Sequence, residues 1–341
     1  MIIHETAFAR AGLVGNPSDI FNGKTISLLF DRFKATVTLY ETPRLTVIPT
    51  GRDILTFDGV EDLVAYRKKF GYYGGIRLIE AAIVQFREYC SRNGISLDNR
   101  NFTVEYQSDI PFGVGLGGSS AIIKAIFTAM MRFYGLSEKD IPKPIQPNII
   151  LNAETEELGI SAGPQDRVVV VYGGLVYMDF SKAAYTKNQD LHGDYEKLDP
   201  NLLPPLFIVY NEELSKSSGA VHNIMRYRAS VEHDQRVLDV MEQKAALVVE
   251  ARTALERGNR NALGPILSRD FNLRKSVYSI GSANMRLIEI ARDHGAHAKQ
   301  TGSGGAAIGT YTDDEHYRDL EQAYRQEGFS MLKVTTADYD S

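Results

Sequence analysis

The chain has 341 residues, a formal net charge of −5 and a single cysteine, Cys90. That balance excludes a general electrostatic drive toward nucleic acid or anionic membrane, and one cysteine excludes an internal disulfide. Without a run of about 18 apolar residues or a basic-then-apolar N-terminus, the expectation is a soluble, cytoplasmic protein of two ordinary-sized domains.

The first segment with chemical content is Ala9-Arg10-Ala-Gly-Leu-Val-Gly15-Asn16-Pro17-Ser18-Asp19, an apolar run interrupted by an arginine and closed by a turn. Alternating runs at 25–30, 36–40, 45–48 and 102–106 predict strands, and 76–89 predicts a helix. Cys90 shares the face of Ile79, Ile83 and Phe86, which makes it a core residue rather than a nucleophile. Just before that helix, Gly71-Tyr72-Tyr73-Gly-Gly-Ile-Arg77 groups two phenols with a cation.

The most informative run is Pro111-Phe-Gly-Val-Gly-Leu-Gly-Gly-Ser119-Ser120-Ala121. Gly113, Gly115, Gly117 and Gly118 allow positive φ angles and close approach of backbone N–H groups to an anion. From Ser119 the apolar spacing Ile122, Ala125/Ile126, Ala129/Met130, Phe133 predicts a helix ending at Gly135. Its N-terminus points into the loop, where free N–H groups and the helix dipole favour phosphate. Ser119 and Ser120 place hydroxyls where a phosphate-bridging Mg²⁺ could bind. There is no lysine before the serines, so this is not GxxxxGK[ST]. Asp109-Ile-Pro111 before the loop and the polar Ser137-Glu-Lys-Asp140 after the helix do not fit a dinucleotide fold.

Further on, 149–158 predicts a helix carrying Glu154, Gly163-Pro-Gln165-Asp166-Arg167 a tight turn carrying an acid, and 173–180 a strand. Leu202-Leu-Pro-Pro205 reads as a hinge, because two prolines forbid a helix there. Beyond it come a strand at 206–210, helical patterns over 231–257 and 283–293, a second glycine loop Thr301-Gly302-Ser303-Gly304-Gly305, a strand at 306–311, a helix at 314–327 and a strand at 331–335. That order is the one expected of a ferredoxin-like α/β sandwich. A ligand held between the two glycine loops is the economical reading.

Together these segments resemble the motifs of the GHMP kinases. Within that superfamily ARAGLVGNPSD, GKTISL, GGSSAI, ELGISAGPQDRV, YGGLVYMDFS, LLPPL and KQTGSGGA are most similar to the glucuronokinases. The resemblance implies an α+β fold of two domains: residues 1–202 with an ATP-binding core of left-handed βαβ type, and residues 203–341 as the ferredoxin-like sandwich. It further implies ATP-dependent phosphorylation of the anomeric hydroxyl of D-glucuronate. The phosphates would be bound by Pro111, Gly113, Gly115, Leu116, Gly117, Gly118, Ser119, Ser120 and Ala121, with Gly302, Ser303 and Gly304 opposite. Ser120 and Glu154 fall on the family's Mg²⁺ site, one hydroxyl and one carboxylate, which suits a hard cation that keeps several waters. Asp166 falls on the catalytic aspartate, as a base or an orienting group, and Arg10 stands near the acceptor oxygen.

Asn16, Asp19 and Thr301 fall with the substrate; galactokinases carry a glutamate where Asn16 stands, which argues against galactose. A uronate brings a carboxylate that needs a cation. Arg226 and Arg228, beside His222, are the first choices, followed by Arg10, Arg77 and Arg167, and Tyr73 is a second sugar contact. Rival readings are a kinase of the same fold acting on galacturonate or a heptose, and a catalytically silent sensor of sugar and ATP. Nothing in the sequence sets the oligomeric state.

Overall fold

The computed structural model describes residues 1–51, 53, 74–214, 227–229 and 231–339. Its first sheet is organised by one long strand, β2 (Lys24–Thr42), which runs antiparallel to β1 (Ile2–Val14) along one edge. On its other edge the early half of β2 pairs with β5 (Leu175–Asp179) and the later half with β4 (Asn101–Ser108). Strand β3 (Thr46–Ile48) lies parallel to β4 across the helix α1 (Gly75–Arg92), and β6 (Asp194–Leu198) closes the far edge.

The pattern broken at Asp31-Arg32 predicts two strands where the structure has one. Phe8 pairs with Lys34 and Ala9 with Phe30, so residues 31–33 form a bulge that bends β2 without ending it. The N-terminal apolar run likewise turns out to be the end of β1, which carries Arg10 into the interior.

Helix α2 (Gly118–Phe133) begins at the first glycine loop and packs with α1 over this sheet, Phe86 meeting Phe127 edge-on at 5.7 Å. The helix expected over 149–158 starts earlier, as α3 (Gln146–Asn152), and passes into a π-type turn, Ala153–Glu157. That wider turn buries Glu154 and leaves Glu156 and Glu157 exposed. A further helix, α4 (Gln165–Tyr172), follows where only a turn is predicted. Four consecutive valines read as extended chain, yet all four are buried here, and burial outweighs the modest helix reluctance of a β-branched residue. Asp166 therefore stands in the first turn of a helix.

After the short α5 (Lys182–Lys187) and β6, a capped turn at Pro200–Leu202 leads into β7 (Leu206–Tyr210). Helices α6 (Gln235–Glu256), α7 (Leu263–Val277) and α8 (Ser282–Asp293) follow, then β8 (His297–Gln300), β9 (Ala306–Thr310), α9 (Asp314–Gln326) and β10 (Ser330–Lys333). The second sheet has the order β10-β7-β9-β8 with every pair antiparallel, which is the ferredoxin-like arrangement. Neither α7 nor β8 is legible in the sequence pattern, because each carries charged residues at buried positions.

The chain then returns to the first sheet. Ala337 donates its N–H to the Leu29 carbonyl at 3.0 Å and accepts from Gly174 at 2.9 Å, and Tyr339 stacks on Phe8. Residues of both sheets, such as Leu13 and Ile26 with Ile208 and Ile308, share one apolar core. Cys90 lies in it, its thiol pushed up to about 11 by burial. No described helix is long and apolar enough to cross a bilayer.

Candidate active site

The first glycine loop is fixed by alternate residues. Pro111, Val114 and Leu116 are buried, whereas Gly113, Gly115 and Gly117 are only partly covered, all three with φ between 70° and 75°. Gly117 is the N-cap of α2, and no side chain caps that end. Its N–H groups are thus directed at the loop's mouth with the positive end of the helix dipole behind them, an arrangement suited to phosphate. Ser119 lies half-buried on the first turn, next to Ala121 and Ser120 in the interior; the Ser120 hydroxyl is buried with no hydrogen-bond partner.

The second glycine loop packs directly against the first. A Cβ on Gly302 would stand 2.6 Å from the Gly115 carbonyl oxygen, and the Thr301 hydroxyl donates to that same oxygen at 3.2 Å. Ser303 is half-buried beside Gly115, and Gly304 lies against Asn284.

Arg10 is the link between them. One terminal nitrogen donates to the carbonyls of Gly115 at 2.8 Å and Thr301 at 3.0 Å, and the other donates to Asp166 Oδ2 at 2.6 Å. The residue is 5% exposed. Its pairing with Asp166 leaves Asp166 Oδ1 buried and, among the described residues, without a partner. Asp19 accepts from the Gln165 N–H, and its Oδ1 is also buried and unpartnered. Burial, reinforced by the Asp166 charge, pushes the Asp19 carboxyl up to about 6. Two unsatisfied carboxylate oxygens beside one guanidinium form a receptor for hydroxyl groups.

Not every expected contact is free for a ligand. Asn16 is buried with its amide oxygen on Lys299 and its nitrogen donating to the Thr301 carbonyl, so both it and Thr301 serve to join the loops. Glu154 is buried in an ion pair with Arg167, which also donates to the Gly163 carbonyl. Arg228 is committed to Asp234, at 2.6 and 3.0 Å, and to the Val277 carbonyl. Arg77 is exposed on the first turn of α1. Tyr73, Arg226 and His222 lie outside the described residues.

Residues 77–174 match the family model of the GHMP kinases N terminal domain and residues 251–329 that of the GHMP kinases C terminal. "Probable glucuronokinase 2" of Arabidopsis thaliana is 41% identical over 98% of this chain and 91% of its own. The chain belongs to the GHMP kinase family. "Glucuronokinase 1" of the same plant is 39% identical over 98% of this chain and 92% of its own. Among solved structures, Lactococcus lactis galactokinase complexed with galactose has the same fold, with a TM-score of 0.76 at 15% identity over 99% of this chain and 94% of that one.

In this GHMP kinase the segment before Asp19 is also held from below by Lys299 of the KQTGSGGA motif and by two charges that sequence reading does not select, Lys244 and Asp270. Asp270 accepts from Lys244 at 2.6 Å and from the Gly15 N–H at 2.7 Å. Lys299 reaches Asp270, Asn16 and the Gly12 carbonyl. All three charged side chains are fully buried, and Lys299 is pushed down to about 7 by burial. Their signal in the sequence is positional: Lys244 falls in the apolar stripe Val237, Val240, Met241, Leu247, Val248, and Asp270 in the stripe Leu263, Ile266, Leu267, Phe271.

Gly117 has no room for a side chain, since a Cβ would meet Arg10 Cγ at 2.5 Å and its φ of +75° is strained for any other residue. Gly117→Ala should therefore displace Arg10 and lower kcat on the order of 10²-fold, the scale of a misplacement of about 1 Å. Steady-state kinetics on the folded variant checks this, and a rate within about threefold of wild type would contradict the packing.

Proposed function

We propose that this kinase transfers the γ-phosphoryl group of ATP to the anomeric hydroxyl of D-glucuronate, giving glucuronate 1-phosphate and ADP. The observation that carries the reading is the unpartnered, buried Oδ1 of Asp166, held by Arg10 beside the phosphate loop. A sugar hydroxyl donating to that oxygen is aligned for attack, and its proton has an acceptor as the bond to phosphorus forms. Arg10 lies where negative charge grows on the transferred group. Asp19 Oδ1 accepts a second hydroxyl and fixes the ring. The names of the two plant relatives supply the substrate class.

ATP would lie with its phosphates against Gly117–Ala121 at the start of α2, beside the seam where Gly302–Gly304 pack on the loop and the two domains, 1–202 and 203–341, meet. The residues fit Mg²⁺ held mainly by phosphate and water. Among the described residues Ser120 offers an unpartnered hydroxyl, Glu154 offers a carboxylate that the ion would share with Arg167, and no three acidic, histidine or cysteine ligands cluster. When bound, the ion neutralises charge on the β- and γ-phosphates.

An ATP-consumption screen over glucuronate, galacturonate, galactose and mevalonate tests the substrate: glucuronate should be turned over at least about tenfold faster than the rest, and equal turnover of galactose would contradict the assignment. Asp166→Asn should lower kcat by about 10²- to 10⁴-fold with the KM for ATP little changed; retention of more than about half the rate would mean that positioning by Arg10 carries the step. Because the Asp19 carboxyl gains a proton as pH falls through about 6, it loses its charge there and becomes a weaker acceptor with one oxygen turned donor. The KM for sugar should rise below that pH in the wild type, and Asp19→Asn should raise it at every pH while abolishing the acid limb. An acid limb that survives in Asp19→Asn would assign the titration to another group.

A further inference from the structure

The buried stripe of α7 holds a second charged residue, Arg274, one turn beyond Asp270. Arg274 is 3% exposed, yet among the described residues its guanidinium makes neither a hydrogen bond nor an ion pair, and its Nε is buried without a partner. It stacks on the ring of Tyr278 at 4.7 Å, and the Tyr278 hydroxyl is buried and unpartnered as well. A guanidinium out of water with no acceptor is a costly feature, and a buried pair of donors side by side is a request for an anion.

Local charge points the same way. Among the described residues the buried cations Lys244, Lys299 and Arg274 have one carboxylate, Asp270, between them, and burial pushes the Arg274 guanidinium below its ordinary value. Tyr278 shares a small apolar cluster with Phe21, two residues after Asp19, and the Arg228 guanidinium donates to the neighbouring Val277 carbonyl at 2.7 Å, which sets the pair on the Asp19 side of the site. The other described arginines considered for this role have acceptors already or lie in solvent. Arg10 holds Asp166 and two carbonyls, Arg167 holds Glu154, Arg228 holds Asp234, and Arg77 is exposed.

We propose that Arg274 and the Tyr278 hydroxyl bind the carboxylate of the sugar-acid substrate, the guanidinium fork taking the carboxylate oxygens and the phenol donating to one of them. This rests on the reading of the chain as a uronate kinase and deepens it, because it names the contact that separates an acidic sugar from a neutral one. Hydrogen bonds to a charged group, made bidentate by arginine, are strong enough for that discrimination.

The test compares glucuronate with its neutral analogue glucuronamide on the full chain. Arg274→Met should lower kcat/KM for glucuronate roughly ten- to a hundredfold, mainly through KM, with less than about threefold change for glucuronamide and for the KM of ATP. Tyr278→Phe, which keeps the ring stacking, should lower kcat/KM for glucuronate about three- to tenfold with the same selectivity. Since the Arg274 guanidinium has no hydrogen-bond acceptor among the described residues, and Met keeps apolar contact with the Tyr278 ring, Arg274→Met should unfold at a temperature no lower than wild type, while the shift produced by glucuronate alone shrinks. Wild-type preference for the charged sugar in both variants would overturn the proposal and leave the uronate kinase standing. An Arg274→Met protein that fails to fold, with full preference retained in Tyr278→Phe, would make the arginine structural and overturn it too. A wild-type chain that neither binds nor phosphorylates glucuronate would remove the substrate reading itself and the carboxylate site with it.

Discussion

The guanidinium of Arg10 joins three parts of the chain that are more than a hundred residues apart from it. It has the Gly115 carbonyl from the phosphate loop, the Thr301 carbonyl from the second glycine loop and the Asp166 carboxylate from α4. Unmet donors on a buried arginine are costly, so once β1 carries Arg10 inside, the surrounding backbone and Asp166 meet its two terminal nitrogens, while its Nε stays unpartnered among the described residues. Much of the glycine content of the site follows. Position 117 must leave room for the Arg10 side chain, and position 302 must let two backbones touch.

This interaction also explains why the two sheets share one core instead of meeting as separate bodies. Strand β8 ends at Gln300, so the ferredoxin-like sheet delivers Thr301 to the edge of the first sheet, where the Gly12 N–H donates to its carbonyl at 3.1 Å. Beneath that seam the Lys244–Asp270–Lys299 cluster fixes the turn that leads to Asp19. Charge is divided across the site: carboxylates with matched arginines lie toward the first glycine loop, and the Lys244–Asp270–Lys299 cluster lies beneath the turn that leads to Asp19.

What the sequence made legible was whatever depends on local chemistry. The glycine loop, the start of α2 and the ferredoxin-like order follow from glycine, periodicity and motif resemblance, and the structure has all three. The losses occur where tertiary contacts override local signals. The bulge at 31–33 hides the continuity of β2, the buried valines disguise α4, and α7 is masked by Asp270 and Arg274 in its apolar stripe. Arginine choice shows the same effect. Arg226 and Arg228 attract attention because they are neighbours in sequence, but Arg228 is occupied by Asp234, whereas Arg274 gains its meaning only from being buried without an acceptor.

The central claim is that Arg10 and Asp166 act as one unit on the acceptor hydroxyl. A double-mutant cycle on kcat, with Arg10→Met, Asp166→Asn and the combined variant, tests it most directly. Residues that work through each other give non-additive losses, so the combined variant should fall within about threefold of the worse single variant. If the two losses multiply instead, the residues act independently and Arg10 is not what holds Asp166 to its task.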